Sequence, residues 1–310
     1  VTSGPVLAVV GPTAAGKSDL AVALAARLHA EVVNADSMQV YRGMDIGTAK
    51  LPLAEQHGVP HHVVDVLDIQ ETATVAEFQQ RARAAIADCH RRGVLPVVVG
   101  GSALYIRAIL DRFEFPGTDP DLRRRLEGEL DELGAEALHR RLAEVDPAAA
   151  AGILPSNTRR IVRALEVVEL TGRSFTATLP AHEYAFDRAC QAGLDVPREV
   201  LDERIRARVD VMWDAGFVAE VRRLEEAGLR EGRTASRALG YAQVLDQLAG
   251  ECTEEEAKEA TVRATRRFAR RQDSWFRRDP RIHWLPFGDP DLLDRAADLA
   301  AEVLRLPPTH

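Results

Sequence analysis

The 310 residues are 46% apolar, 28% charged and only 5% aromatic, which excludes a disordered or collagen-like chain and leaves Ala, Val and Leu to fill the core. Three cysteines, Cys89, Cys190 and Cys252, lie far apart with no C-x-x-C pair, which argues against a disulfide scaffold or zinc site and for a reducing compartment, so a cytoplasmic protein is expected. The net charge of −8 speaks against a nucleic-acid binder, yet residues 258–281 carry nine basic and three acidic side chains, a local +6 that suits either a polyanion partner or a solvated helix face.

Val6 to Val10 is a short apolar run, read as a first strand and not as a signal peptide. A Gly-rich turn and a helix over about 17–29 follow. Strands are expected at 31–34, 63–67 and 94–99, with a helix over 75–92 between the last two and another over 102–110. Pro96 places the 94–99 strand at a sheet edge or sits at its start. Continuous apolar strands alternating with helices indicate a buried parallel sheet, hence an α/β fold. From Pro116 the pattern turns helical, with stretches at 121–133, 135–144 and 156–171 broken at Asp146-Pro147 and Leu154-Pro155. Strand character returns near 190–196, helices fill 198–273, and 282–285 reads as a last strand. The expected organisation is a P-loop NTPase-like core of residues 1–116 and 188–310 with an inserted all-helical module at 117–187. No run approaches the roughly 18 apolar residues of a membrane span.

The strongest chemical signal is Gly11-Pro12-Thr13-Ala14-Ala15-Gly16-Lys17-Ser18, a G-x-x-x-x-G-K-[ST] loop between a strand and a helix. Loop amides and the helix N-terminus hold anionic oxygens, Lys17 adds a point charge, and the Ser18 hydroxyl can hold Mg²⁺. The motif, of the ATP-binding type, specifies a polyphosphate but not the reaction. Asp36 follows the second strand, at the sheet edge where open α/β folds bind ligands. It can hold Mg²⁺ through water, take a proton from an acceptor, or simply cap the βα turn. Gly100-Gly101-Ser102 is a second strand-to-helix turn, either an anion or leaving-group site or a plain N-cap. His57, His61 and His62 cluster without a carboxylate or cysteine at zinc spacing. Cys89 and Cys190 read as core residues, and of Trp213, Trp275 and Trp284 only Trp275 is a candidate for base stacking.

These segments, GPTAAGKS, NADSMQVYRGMDIGTAK, GVPHHVVDVLD, GGSALY, NTRRIVRALEV with TGR, and TRRFARRQDSWFRRD, occur in the order found in the bacterial tRNA dimethylallyltransferases, which the chain resembles over nearly its whole length. Departures are GGSALY for GGTGLY, which keeps a hydroxyl at Ser102 and puts Ala103 in place of a glycine, and Gly240-Tyr241-Ala242-Gln243 for GYRQ. Phe268 and Arg270 stand for a usual tyrosine and lysine. The resemblance implies transfer of a dimethylallyl group from its diphosphate to N6 of the adenosine 3′ of the anticodon, in tRNAs that read codons beginning with U. It implies that residues 11–18 hold the diphosphate, with Lys17 and Arg208 neutralising it (Arg204 as the alternative), and that Asp36 and Ser102 are catalytic. Asp36, Ser37, Met38 and Gln39 would line the pocket of the flipped base. Arg159, Arg160, Ile161, Val162 and Arg163 would contact the anticodon stem-loop, and Arg267 and Arg271 its phosphates. Mg²⁺ is the implied cofactor and a monomer the expected state. The rival readings are a P-loop kinase, a prenyltransferase of free AMP and a non-catalytic RNA-binding module. The +6 segment speaks against the first two, and the intact Lys17, Ser18 and Asp36 against the third.

Overall fold

The computed structural model describes residues 2–113, 115–175 and 182–306. Its elements run β1 (Thr2–Val10), α1 (Lys17–Arg27), β2 (Ala30–Asn34), β3 (His61–His62), α2 (Val75–Arg91), β4 (Leu95–Gly100), α3 (Ala103–Leu110), α4 (Pro120–Leu133), α5 (Ala135–Val145), α6 (Pro147–Ala151), α7 (Thr158–Thr171), β5 (Phe186–Asp195), α8 (Arg198–Asp214), α9 (Phe217–Glu226), α10 (Tyr241–Leu248), α11 (Glu254–Phe276), β6 (Ile282–Pro286) and α12 (Leu292–Leu304). The chain divides into two compact units, residues 1–111 with 184–310, and residues 112–183. The division falls a few residues before each of the expected boundaries at 117 and 187. Part of the expected insertion, residues 176–181, lies outside the described residues.

The larger unit is a six-stranded parallel sheet in the order β3-β2-β4-β1-β5-β6. Both faces are covered, so the strands are apolar on both sides. Alternation along β1 sorts its side chains: Val6, Ala8 and Val10 enter the core under α2, α3 and α9–α11, while Leu7 and Val9 enter the one under α1 and α12. Pro96 is the second residue of an interior strand, where it pairs with Glu31. It marks the strand's start and not a sheet edge.

The expected strand at 63–67 is not one. β3 ends at His62, and Val63 and Asp65 take φ of 62° and 55°. The run turns off the sheet to pair with the preceding loop, Asp65 N–H donating to Gln39 O and both Val66 and Leu67 N–H to Val40 O. Asn34 Nδ2 holds the bend through Val63 O at 3.0 Å. β5 is longer than expected because it lies along β1 from Phe186 onward.

The smaller unit packs Leu126, Leu138, Leu142, Ile161 and Leu165 from α4, α5 and α7 into its own core. The buried Glu166 carboxylate accepts from Thr118, Arg123 and Arg163, and these bonds hold its pKa below the ordinary value against the opposing effect of burial.

Candidate active site

In this strand order β2, β4, β1 and β5 are consecutive neighbours. Because all are parallel, the segments that leave their carboxyl ends lie side by side. These segments are Asp36 after β2, Gly100-Gly101-Ser102 at the end of β4, the P-loop after β1 and α8 after β5. Separate stretches of sequence are thereby gathered along one edge.

The P-loop needs unusual backbone. Gly11 and Gly16 have φ of 143° and 94°, which glycine adopts without steric cost, and Ala14 sits at 63°. Two distant side chains clamp the loop: Thr13 N–H donates to Gln272 Oε1 at 2.9 Å, and Arg204 Nε donates to Ala14 O at 2.7 Å. Lys17 Nζ donates to Pro12 O at 2.6 Å. Burial, and secondarily the nearby Arg208, press the Lys17 pKa from 10.5 to about 8, with Asp36 opposing. Arg208, one turn beyond Arg204 on α8, is also lowered by burial, with Asp36 acting the other way. Among the described residues no carboxylate lies within ion-pair distance of Lys17 or Arg208.

Two cavities meet at Ala49 and Arg208. One of about 400 Å³ is lined by Gly16, Lys17, Ser18 and Arg204. The other, of about 360 Å³, is lined by Asp36, Ser37 and Ser102, by Arg208, Arg237 and Arg271, and by the apolar Val209, Met212, Phe217 and Leu239. Arg204 thus reaches only the first cavity, with its guanidinium also 4.9 Å above the Phe287 ring, whereas Arg208 lines both.

Asp36 caps its own turn. Oδ1 accepts from Met38 N–H at 2.8 Å and weakly from Gln39 N–H at 3.4 Å, while Asn34 Oδ1 accepts from Asp36 N–H at 2.9 Å. Capping occupies one carboxylate oxygen, and among the described residues Oδ2 has no hydrogen-bond partner. Ser102 stands at the N-cap position of α3 but makes no side-chain capping bond, and it lines the cavity of Asp36.

Several expected contacts are placed differently. Met38 lines the Asp36 cavity with Ser37, but Gln39 turns its amide away, to the carbonyls of Thr48 at 3.1 Å and Ala49 at 3.4 Å. Gln39 braces a wall of the site instead of lining the base pocket. In the smaller unit Arg159 and Arg160 are exposed, but Ile161 and Val162 are 0% and 1% exposed within the unit's core and have no surface to offer RNA. Helical periodicity turns those two inward. Arg163 is engaged with Glu166 and with the carbonyls of Pro116 and Gly117.

The basic segment is not one free cationic helix. α11 ends at Phe276, before Arg277, Arg278 and Arg281. Lys258 pairs with Asp210, Arg266 and Arg270 approach Asp202, Arg277 pairs with Asp195 and Asp273, and Arg281 pairs with Asp111 and Asp279. Arg263 and Arg267 are exposed and, among the described residues, have no ion pair. Arg271 lies over Phe268 and borders the Asp36 cavity. Trp275 is exposed, with Arg278 5.5 Å from its ring, while Trp213 is buried and Trp284 lies under Arg277.

Gln272 was not singled out by the sequence. Its signal is a lone amide on the face of α11 opposite the arginines. The histidine reading also changes. Folding brings Glu31 and Cys89 to His62 although neither is near it in sequence. Arg92 grips both Glu31 oxygens at 2.6 Å, which, with its other hydrogen bonds, lowers the Glu31 pKa to about 2. A guanidinium therefore already occupies the position a cation would need. Cys89 and Cys190 are buried in the core.

A family model described as IPP transferase matches residues 39–279. The tRNA dimethylallyltransferase of Thermobifida fusca is 66% identical over 302 residues, covering 96% of this chain and 94% of that protein. That of Kineococcus radiotolerans is 65% identical, covering 98% and 96%. The crystal structure of a full-length tRNA isopentenylpyrophosphate transferase from Bacillus halodurans aligns with a TM-score of 0.73 and 40% identity, covering 97% of each chain. A eukaryotic dimethylallyltransferase acting on tRNA aligns with a TM-score of 0.83 and 28% identity, covering 100% of this chain and 81% of that one. The residues that shape the P-loop edge thus lie in a chain whose relatives agree over nearly its full length, and the chain belongs to the IPP transferase family.

Proposed function

We propose that the protein transfers the dimethylallyl group of dimethylallyl diphosphate to N6 of the adenosine 3′ of the anticodon in tRNAs reading codons that begin with U. The observation that carries this reading is the pair of adjacent cavities that share Ala49 and Arg208 in their linings. One is built on the P-loop, with Lys17, Lys50, Arg204 and Arg208 outnumbering Asp19 and Glu55; the other combines the Asp36 carboxylate and the Ser102 hydroxyl with apolar side chains and with Arg208, Arg237 and Arg271. A diphosphate fits the first. An allyl group and a flipped purine fit the second, the flat faces of both against the apolar side chains and the purine's polar edge toward the polar ones.

In this reaction the C1–O bond to diphosphate breaks, the C1–N6 bond forms, and the amine loses one proton. Lys17, Arg208 and the loop amides stabilise the departing charge from fixed positions in a desolvated site, where such contacts are strongest. Asp36 Oδ2 orients the exocyclic amine and receives its proton, while Oδ1 stays on the turn amides and keeps the carboxylate aimed. Ser102 offers its hydroxyl to the bridging oxygen. Arg208, lining both cavities, sits where charge passes from the allylic carbon to the leaving group.

Ser18 fits an Mg²⁺ site. Its hydroxyl opens the first turn of α1 and lines the diphosphate cavity, and Mg²⁺ characteristically takes one or two protein oxygens together with phosphate oxygens and water. Bound there, Mg²⁺ would add charge neutralisation on the diphosphate. The +6 segment and the helical unit supply the RNA grip, through Arg159, Arg160, Arg267 and Arg271. Incubating the protein with radiolabelled dimethylallyl diphosphate and either tRNA or AMP tests the reading. Label on tRNA is expected; label on AMP alone, or on neither, overturns it.

A further inference from the structure

The loop after Met44 turns three successive backbone N–H groups, those of Asp45, Ile46 and Gly47, toward one point. Such a nest ordinarily binds an anion. Here the anion belongs to the chain. Glu220 of α9 is 1% exposed; its Oε2 accepts from Asp45 N–H at 3.1 Å and Ile46 N–H at 2.8 Å, and its Oε1 from Gly47 N–H at 3.2 Å and the Tyr241 hydroxyl at 2.5 Å. Four donors on two oxygens compensate a carboxylate that, among the described residues, has no cation in ion-pair contact.

The loop is pressed close as well as hydrogen-bonded. A Cβ on Gly47 would run into the rings of Phe217 and Tyr241, which meet edge to face at 5.0 Å. The Gly240-Tyr241-Ala242-Gln243 motif sets the Tyr241 hydroxyl. Gly240, at φ 85°, lies against Phe217, and its N–H donates to Gln243 Oε1 at 2.8 Å as α10 begins. On its other side the loop borders the site. Gly47, Thr48 and Ala49 line the cavity of Asp36 and Ser102, and Ala49 also lines that of Lys17 and Ser18. Gln39 holds the Thr48 and Ala49 carbonyls from the turn that carries Asp36.

We propose that Glu220 is a positioning residue for prenyl transfer: acting through the Asp45–Gly47 amides and Tyr241, it holds the partition between the two cavities at the place that aligns the acceptor amine with the allylic carbon. This rests on the prenyl-transfer reading above. Glu220 touches neither cavity; its effect passes through the wall formed by residues 47–49.

Glu220→Gln is nearly isosteric, but its NH₂ cannot accept and confronts donors. The test compares it with the parent in single-turnover prenylation of tRNA, in tRNA affinity and in amide exchange at residues 45–47. The expected result is a folded protein with parental tRNA affinity, full reaction amplitude, faster exchange at 45–47, and a rate constant lower by about 100-fold, the scale of an ångström-sized misplacement. Tyr241→Phe, which leaves the three backbone donors satisfied, should lose only a few-fold. A merely structural Glu220 would give reduced amplitude with a parental rate constant in the active fraction, and that result overturns the proposal. If Glu220→Gln does not fold, Tyr241→Phe and Gly47→Ala carry the test, and parental rates in both overturn it. A parent that transfers nothing to tRNA defeats the functional reading itself. A parent that reacts, with variants that match it, defeats only the role of Glu220.

Discussion

The cations of the P-loop centre and those around α11 differ in what surrounds them. Lys17 and Arg208 lie where burial depresses their pKa values and no carboxylate is within ion-pair distance among the described residues. The basic segment is richer in charge, but Lys258, Arg266, Arg270, Arg277 and Arg281 face Asp210, Asp202, Asp195, Asp273, Asp111 or Asp279. A desolvated, unpaired cation is costly to the fold and strong toward an incoming anion. A paired surface cation has little free charge left to offer. Charge counted along a sequence therefore overstates the RNA grip of α11 and understates the anion affinity of two single residues on the P-loop side.

The largest effect is expected at Asp36, the carboxylate near those cations. Asp36→Asn keeps an acceptor for Met38 N–H, so the turn should stand, but it removes the acceptor for the amine proton. Single-turnover prenylation is expected to fall by about 10²–10⁴ with little change in thermal midpoint. Rates within a few-fold of the parent would leave Asp36 as a cap only. Lost diphosphate affinity would instead place it on the metal. Lys17→Ala should lower turnover at least ~100-fold with tRNA affinity nearly unchanged, because the proposed RNA contacts lie on α11 and α7; near-normal turnover would refute the P-loop assignment.

The same lysine yields a pH test. Its pKa of about 8 in the fold lies below 10.5, so the cation is lost as pH rises through about 8. Affinity for inorganic diphosphate, read by calorimetry, should weaken across that range, and Lys17→Met should flatten the profile. Stability has the opposite sign. Between about 8 and 10.5 the unfolded chain binds more protons at this position, so the Lys17 contribution favours folding more as pH rises. The smallest effect is expected at α11. Arg267→Ala should reduce the salt slope of tRNA binding by up to ~1, and Arg271→Ala by a similar amount. Arg266→Ala and Arg270→Ala, both facing Asp202, should change it much less. Equal slopes for all four variants would erase the distinction between paired and free arginines.

Much of the candidate site was legible because its parts are local. The G-x-x-x-x-G-K-S spacing states its own geometry, since the amides that bind an anion belong to consecutive residues of one turn. Asp36 was legible as a residue just past a strand, though whether it caps or reacts was not; the structure gives Oδ1 to the turn and leaves Oδ2. Ile161 and Val162 show the opposite case, a motif read as a contiguous contact segment in which two members face inward. Contiguity in sequence is not a shared face on a helix, where neighbours point about 100° apart.

By itself the sequence determined the alternation of buried strands and helices, the phosphate loop and the change to helix after residue 116. These follow from hydrophobic periodicity and turn chemistry, which act over a few residues. The tertiary structure alone decided that β2, β4, β1 and β5 are neighbours, and so that Asp36, Ser102, Lys17 and Arg208 share one edge. It also decided that the 63–67 run leaves the sheet, that Gln272 clamps Thr13, and that Glu220 fills the nest at 45–47. Each of those depends on partners far apart in the chain, such as Thr13 and Gln272, 259 positions apart. Hydrogen-bond satisfaction and desolvation are set by which groups meet in space, and a linear pattern does not carry that information.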